Sequence, residues 1–467
     1  MAVSAGRSGD RSHAVAKTLY ALLFVVLLPL FLVYFSAHVE IRLGIARFPA
    51  AGIVLAGVGL LVMLWGMWDI WTRGKGLPMN AFPPERLVTG GIYGVVPQPI
   101  YSGFVLVCLG VSLAFGSATG VLVTTPLVVL CALALVLGYE RPYLLRTFGE
   151  LPRPQLGFSR LLGPLARALR LDRVWATILA LTERLANSWS ARRIGSARVI
   201  NHAVFAGLAG GVGAFMVVLV AGSDQVAAVS ALMLAGVAGA AVVGQLLVGS
   251  SSGLSRPFGY FGGLLGITVA GLLLYPFDPA MLLVLAAFAF AGPWTQAIGR
   301  LRCIVQGCCH GASSAVDPGI VVNNEHSRVV LAGLGGKPIY PTQLYSILGN
   351  IGIAGVLVWL WTTGAPQTLI AGIYLVLAGL VRFIEEGYRG EPMTRIIGGL
   401  HIYQWFAVGM VVAGFLVMMI DSPSAPPIGA SALLPALAIG LAFFAVCGFA
   451  MGVDFPDSQR RFSRLSG

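Results

Sequence analysis

The stretch Cys303-Ile-Val-Gln-Gly-Cys-Cys-His-Gly311 holds three of the six cysteines of a 467-residue chain, together with one of its six histidines. A thiol beside an imidazole suits nucleophilic chemistry, because the ring can take the proton and a nearby positive charge favours the thiolate. Three readings of Cys303, Cys308, Cys309 and His310 follow. His310 serves as base for a thiol that carries or accepts a group, or the set binds a soft metal, or the thiols form a structural turn or a redox-formed disulfide. The spacing of five, one and one is unlike Cys-x2-Cys, and adjacent thiols do not easily ligate one ion, so no metal ligand is assigned. Charged residues set into apolar runs are the second group. Arg300 lies at the exit of one run and Arg382 at the end of another, with Glu386 four and Arg389 seven positions further on. That spacing puts Arg382, Glu386 and Arg389 on one helical face. Ionisable groups near membrane depth are functional candidates, and the planar guanidinium suits bidentate bonds to phosphate. Arg300 and Arg382 are therefore expected to hold a phosphate, with Glu386 orienting Arg382 and Arg389.

The elements that must position these groups follow from composition. With 57% hydrophobic and 10% charged residues and a mean hydropathy of +0.86, a soluble fold is excluded and a polytopic membrane protein is expected. The apolar runs are continuous and rich in Leu, Val, Ala and Gly, which argues for helices rather than a barrel. Spans are predicted at 18–36, 49–71, 101–117 and 120–139, then at 200–221, 226–248, 258–276, 280–297, 344–361, 367–385, 399–420 and 431–452. The fold class is thus all-α, a transmembrane bundle of about 12 spans in two modules. Residues 1–139 form a four-span module, 140–198 a linker, 199–455 a second module and 456–467 a basic tail.

The linker carries eleven arginines against four acidic residues and reads as cytoplasmic. Within it Leu161, Leu165, Leu169, Trp175, Ile178, Leu179 and Leu185 recur near helical spacing, which fits either an interfacial helix or one packed on the domains. The net charge of +12 comes from basic residues between spans, so it marks topology and lipid headgroup contact rather than nucleic acid. The first apolar run is expected to be an uncleaved span. Cys108, Cys131 and Cys447 sit singly in apolar runs and read as small buried hydrophobes.

Two family resemblances are carried by longer motifs. The sequence Gly74–Gly103, with "GGIYGVVPQPIYSG" at its end, and the later "YERPYLLRTFGE" resemble the isoprenylcysteine carboxyl methyltransferase family and its phospholipid methyltransferase relatives. The resemblance implies an S-adenosylmethionine site using Tyr93, Pro99, Tyr101 and Glu140. It departs where the family has an Arg-His pair, here Pro97-Gln98, and where it has a second glutamate, here Arg141. From Gly259 onward "GYFGGLLG", "GRLRCIVQGCCHG", "YPTQLY", "RFIEEGYRGEP" and "LHIYQW" resemble, in order, five signatures of the prolipoprotein diacylglyceryl transferase family. This second resemblance implies transfer of the diacylglyceryl group of phosphatidylglycerol to a thiol, without a cofactor. It adds Gln343, Tyr345, Gly262, Gly263 and Gln404 as substrate-binding residues, and it departs at Phe261, where the family has a histidine, and at Cys303 and Cys308.

The leading expectation is therefore a multi-pass protein of a bacterial cytoplasmic membrane. It would move a glyceryl-lipid group from an anionic phospholipid to a lipoprotein or small acceptor, with Arg300, Arg382, His310 and Glu386 in catalytic roles. An S-adenosylmethionine-dependent methyltransferase and a non-catalytic lipid-binding scaffold are the rivals. One conflict accompanies this expectation. Counting four spans from the arginine-rich linker puts the loop from Gly299 to Tyr340 in the cytoplasm, whereas the resembled family works on the outer face.

Overall fold

The computed structural model describes residues 18–19, 21–39, 44–76, 85–149, 151, 163–248, 259–314, 317–390, 396–460, 463 and 465. In lipid every backbone polar group has to be satisfied internally, and the long apolar runs accordingly fold as helices. Among the described residues eight helices are long and apolar enough to cross a membrane, and four shorter apolar helices accompany them. Contacts divide the chain into two units, Met1–Leu169 and Arg170–Gly467. The boundary falls inside the predicted linker.

The first unit contains α1 (Leu22–His38), α2 (Pro49–Gly74), α3 (Pro99–Phe115) and α4 (Gly120–Phe148), with a short helix α5 (Gly163–Ala168) near its end. A 3₁₀ turn, Gly91–Gly94, precedes α3. Glycines let α2 and α3 approach backbone to backbone: a Cβ on Gly59 would come 2.6 Å from the Gly103 carbonyl, and one on Gly52 2.5 Å from that of Gly110. Small residues at such positions replace the hydrophobic drive that is absent between helices in lipid. The helix that carries the expected span at 120–139 continues through Glu140 to Phe148.

The second unit opens with α6 (Leu171–Ala186) and a hairpin of β1 (Ala191–Ile194) and β2 (Ala197–Ile200). Four helices follow, α7 (Ala203–Ala221), α8 (Val226–Val248), α9 (Tyr260–Leu274) and α10 (Met281–Gln306). The loop after α10 contains β3 (Ile320–Val321), the single turn α11 (Arg328–Leu331) and β4 (Pro338–Ile339). It leads into α12 (Thr342–Thr362) and α13 (Gln367–Gly387). The chain ends with β5 (Ile396–Ile397), β6 (Leu400–His401), α14 (Ile402–Met418), α15 (Leu433–Gly452) and β7 (Val453–Asp454). The strands are short ribbons: β1, β2 and β7 form one antiparallel sheet, while β3 pairs with β4 and β5 with β6.

The linker helix α6 belongs to this unit. Its Leu179 and Ala186 are buried with Ile304 of α10, Leu344 of α12 and the loop residues Ile320, Val322, Val329 and Ile339; Trp175, Ile178 and Leu185 pack around them. Of the residues expected on one helix, Trp175, Ile178, Leu179 and Leu185 pack on the domain, Leu165 and Leu169 precede α6 and are exposed, and Leu161 lies outside the described residues. Hydrogen bonds reinforce this packing, from Val321 N to Glu183 Oε2 at 2.8 Å and from Asn187 Nδ2 to Val321 O at 3.0 Å. The loop after α10 and α6 therefore lie at the same end of this unit. The pairing of β2 with β7 puts the start of the tail there as well. Arg198 makes a two-pronged bond to the buried Asp454, at 2.9 and 2.8 Å.

Candidate functional site

Glu385 and Glu386, side by side on α13, are almost fully buried and gather three arginines. Arg300, from α10, gives Nη2 to Glu385 Oε2 at 2.9 Å. Arg382 gives Nη1 to Glu385 Oε1 at 2.6 Å and Nη2 to Glu386 Oε2 at 2.9 Å. Arg389 approaches Glu385 at 3.5 Å and Glu386 at 3.3 Å. Three guanidiniums thus face two carboxylates, an excess of one positive charge in a place that water does not screen. The spacing places Glu385 three residues after Arg382 and four before Arg389. The sequence reading named Glu386 and missed Glu385, although the same arithmetic applied to the neighbouring position would have found it.

The remaining donors of this network are held or left open by nearby groups. Arg300 Nε donates to Ser346 Oγ at 3.0 Å. Arg382 Nε and Glu386 Oε1 are buried with no hydrogen-bond partner among the described residues. The guanidinium of Arg382 lies 5.7 Å from the ring centre of Phe261 and 5.4 Å from that of Tyr403. Phe261 therefore gives up the basicity of a histidine and supplies an aromatic face for a buried cation, worth about 2 kcal/mol when desolvated.

The cysteine loop is built onto the same helices. α10 ends at Gly307, whose φ of +76° closes the helix and turns the chain. A Cβ there would lie 2.2 Å from Ser327 Oγ, so glycine alone fits. Gln343 Nε2 then binds the carbonyl of Cys308 at 2.9 Å and Thr342 Oγ1 that of Cys309 at 2.7 Å. Gly390 N binds the carbonyl of His310 at 3.1 Å. The sulfurs of Cys303, Cys308 and Cys309 lie within 4.8 Å of one another. Hydrogen bonds with Cys303 and Cys309, and then burial, push the Cys308 thiol well above its ordinary range. At Cys309 the Cys303 thiol works upward, but the hydrogen bond with Cys308 and the Arg389 charge prevail and leave it below that range.

The structure treats the other expected residues differently. His310 does not join the sulfur group; it is buried, and its Nδ1 meets the carbonyl of Gly311 at 3.1 Å. A carbonyl only accepts, so Nδ1 is the donor in this contact. Gln343 is part of the site through the loop backbone, while Tyr345 reaches it through an edge contact to Tyr388 at 6.1 Å. Gly262 and Gly263 face α8: a Cβ on Gly262 would lie 2.4 Å from the Gly239 carbonyl and one on Gly263 3.6 Å from that of Gly236. The close approach to α8 thus requires glycine at 262, whereas a side chain at 263 would meet only ordinary contacts. Gln404 caps α14, accepting from His401 N at 3.0 Å and donating to Phe383 O at 3.2 Å. Its buried amide is occupied by backbone.

In the first unit Tyr101 on α3 donates to Glu140 Oε1 on α4 at 2.5 Å, and Pro99 is at the start of α3. Asp69, buried on α2 and unnamed by the sequence reading, accepts from Ile92 N at 2.8 Å and from Arg73 Nε at 3.0 Å. Burial and the carboxylates Glu140 and Asp69 raise the Tyr93 hydroxyl.

Comparison with known proteins agrees with both resemblances. Residues 240–420 match the prolipoprotein diacylglyceryl transferase family and residues 48–151 the phospholipid methyltransferase family. Phosphatidylglycerol–prolipoprotein diacylglyceryl transferase 2 of Clostridium perfringens is 26% identical over 161 residues, 34% of this chain and 59% of the relative. The corresponding transferase of Clostridium tetani is 27% identical over 126 residues, 27% and 48% of the two chains. That of Polynucleobacter asymbioticus is 30% identical over 89 residues, 18% and 34%. The chain spans about half the length of the first two relatives.

The phospholipid methyltransferase match implies S-adenosylmethionine, and the residues present do not fit it. Pro97 and Gln98 carry no charge to hold its carboxylate. Asp69 engages Arg73, and Tyr101 engages Glu140.

Proposed function

We propose that the second unit is a membrane transferase, moving the diacylglyceryl group of phosphatidylglycerol or a related anionic phospholipid to a thiol or other acceptor, as in lipoprotein lipidation. The observation that supports it best is the buried Arg300–Glu385–Arg382–Glu386–Arg389 network with its excess positive charge. A phosphodiester carries the single negative charge that balances it, and guanidinium forks match its oxygens. Arg300 and Arg382 hold the phosphate, while Glu385 and Glu386 fix their orientation. The acceptor sulfur attacks the glyceryl carbon, the carbon–oxygen bond to phosphate breaks, and glycerol phosphate leaves with the electron pair. His310 Nε2 takes the thiol proton. The arginines stabilise the charge developing on the leaving oxygen. Gln343 and Tyr345 shape the lipid-facing side.

The protein is placed in a bacterial cytoplasmic membrane, with lipid reaching the site laterally between helices. The hydrogen bonds between α6 and the loop after α10 support a site at the end of the bundle that carries α6 and the hairpin arginines Arg192, Arg193 and Arg198. By the positive-inside rule this is the cytoplasmic end, and the acceptor is taken from that side.

The test is mass spectrometry of the full-length protein in phosphatidylglycerol nanodiscs with a cysteine-containing lipoprotein-precursor peptide. Glycerol phosphate release and a diacylglyceryl adduct are expected for the wild type and are lost in Arg382→Ala and in Arg300→Met. The absence of release across a panel of anionic phospholipids and thiol acceptors, with lipid still bound, would replace the transferase by the lipid-binding scaffold.

A further inference from the structure

We infer that Cys303, Cys308 and Cys309 form a three-thiolate site for a divalent zinc-class metal ion, a function that goes beyond the transferase reading. The sequence spacing argued against this because neighbouring side chains of an extended strand point to opposite faces. The structure removes the objection. Cys309 adopts a left-handed conformation, φ +58°, one of four such non-glycine residues among those described. An L-residue gives up roughly 1 kcal/mol or more to adopt it. The turn abolishes the alternation, and Cys303 comes down from the last turn of α10 to meet the pair. All three sulfurs then lie within 4.8 Å of one another. Sulfurs bound at about 2.3 Å to a tetrahedral ion are roughly 3.8 Å apart, so a contraction of no more than about an ångström closes the site around one.

The surroundings suit a charged thiolate centre. Arg300 and Arg302 are within electrostatic reach of Cys303, and Arg389 of Cys309. Arg302 donates to the Met451 carbonyl at 3.2 and 3.1 Å and forms no salt bridge among the described residues. Arg302, beside Cys303, adds a fourth guanidinium to the three that face Glu385 and Glu386, an excess of two positive charges over the cysteine loop and the network together. A bound phosphodiester balances one of them. Three thiols that lose their protons to water and bind a divalent ion carry one net negative charge, which balances the other. The loop is also fixed in advance through the carbonyls of Cys308, Cys309 and His310, so little ordering accompanies binding. Three protein ligands leave a tetrahedral ion one open position. Thiolates select zinc-class ions over magnesium or calcium.

The test uses the reduced, chelator-treated full-length protein in detergent, titrated with Co²⁺ as the probe. One equivalent is expected to give the near-ultraviolet thiolate-to-cobalt absorption and the intense visible bands of a tetrahedral thiolate site, and Zn²⁺ should bleach both. Cys303→Ser and Cys309→Ser abolish the bands, whereas Cys447→Ser leaves them intact. Should the serine variants aggregate, alkylation of the wild type with and without Zn²⁺ reads the same site: protection maps to Cys303, Cys308 and Cys309 and spares Cys108, Cys131 and Cys447. A fully reduced wild type that shows only hydrated cobalt in excess Co²⁺ overturns the inference. So does a pattern of alkylation that Zn²⁺ does not change.

Discussion

Glu385→Gln should be the most damaging single change in the buried network, although Arg300 and Arg382 are the residues that would touch substrate. Glu385 lies 2.9 Å from Arg300 and 2.6 Å from Arg382, and its side chain is 1% exposed. At an effective dielectric of about 20 each contact is worth roughly 6 kcal/mol before desolvation is counted. Desolvation offsets much of this in the intact network, but removing one partner leaves buried charge uncompensated, and such losses run at about 3–5 kcal/mol. Glu385→Gln leaves three guanidiniums against Glu386 alone. Arg300→Met leaves two guanidiniums against two carboxylates, a balanced set, and should cost less, about 1–2 kcal/mol, from the same comparison of paired and orphaned charge. The assay is thermal unfolding in detergent followed by tryptophan fluorescence. For a domain of this size the larger loss corresponds to a fall in Tm on the order of 10 °C. The double variant should lose less than the sum of the two, with a coupling of about 1.5–3 kcal/mol. Phosphatidylglycerol should raise the Tm of Glu385→Gln more than that of the wild type, because an anionic ligand binds the state with more unpaired positive charge. Zwitterionic phosphatidylcholine should not. Equal losses below about 1 kcal/mol in both single variants, with no coupling, would refute the reasoning, since the charges would then be separated by water.

Three further outcomes are expected. His202 is fully buried just before α7, with both ring nitrogens unpartnered among the described residues, and burial together with the Arg302 charge holds it down at about 3, against the opposing pull of Asp454. The folded protein therefore keeps the ring neutral while the unfolded chain protonates near 6.5. Stability is intact above that value and is lost as pH falls towards 3, by about 2 kcal/mol at pH 5. His202→Leu should flatten the dependence of Tm between pH 7 and pH 5; an unchanged slope would mean the ring is hydrated. Phe261→Leu keeps most of the apolar volume but removes one of the two aromatic faces beside Arg382. A loss of about 1–2 kcal/mol is expected by thermal unfolding, and none would show that the ring only fills space. Asn187 Oδ1 accepts from Asn323 N at 2.8 Å, so the double variant Asn187→Cys with Asn323→Cys should be linked efficiently by a short bismaleimide in intact membranes. Failure to link would separate α6 from the loop after α10 and reopen the question of which side the site faces.

Some of this was legible in the sequence because it rests on local periodicity. A helix in lipid follows from an unbroken apolar run, and the shared face of Arg382, Glu386 and Arg389 follows from 3.6 residues per turn. Both family resemblances rested on motifs whose order along the chain was enough to recognise them. What local pattern could not supply were partners distant in the chain. Arg300 and Glu385 are separated by 85 positions. The stacking of Phe261 and Tyr403 beside Arg382 arises only when α9, α13 and α14 pack together. Gly262 and Gln404 carried family signatures, and only packing decided that one fits against α8 while the other caps α14. The linker stretch that forms α6 was equally compatible with lipid or protein, and its Leu179 and Ala186 join the buried cluster around Ile304 and Leu344. The three cysteines show the division most clearly. Sequence alone determined that the thiols are close along the chain, but spacing five, one and one does not fix direction. The left-handed turn at Cys309 and the closure of α10 at Gly307 point all three inward. Backbone dihedrals at a turn depend on what holds the loop, here Thr342, Gln343 and Gly390, and those residues come from elements that only the tertiary structure brings together.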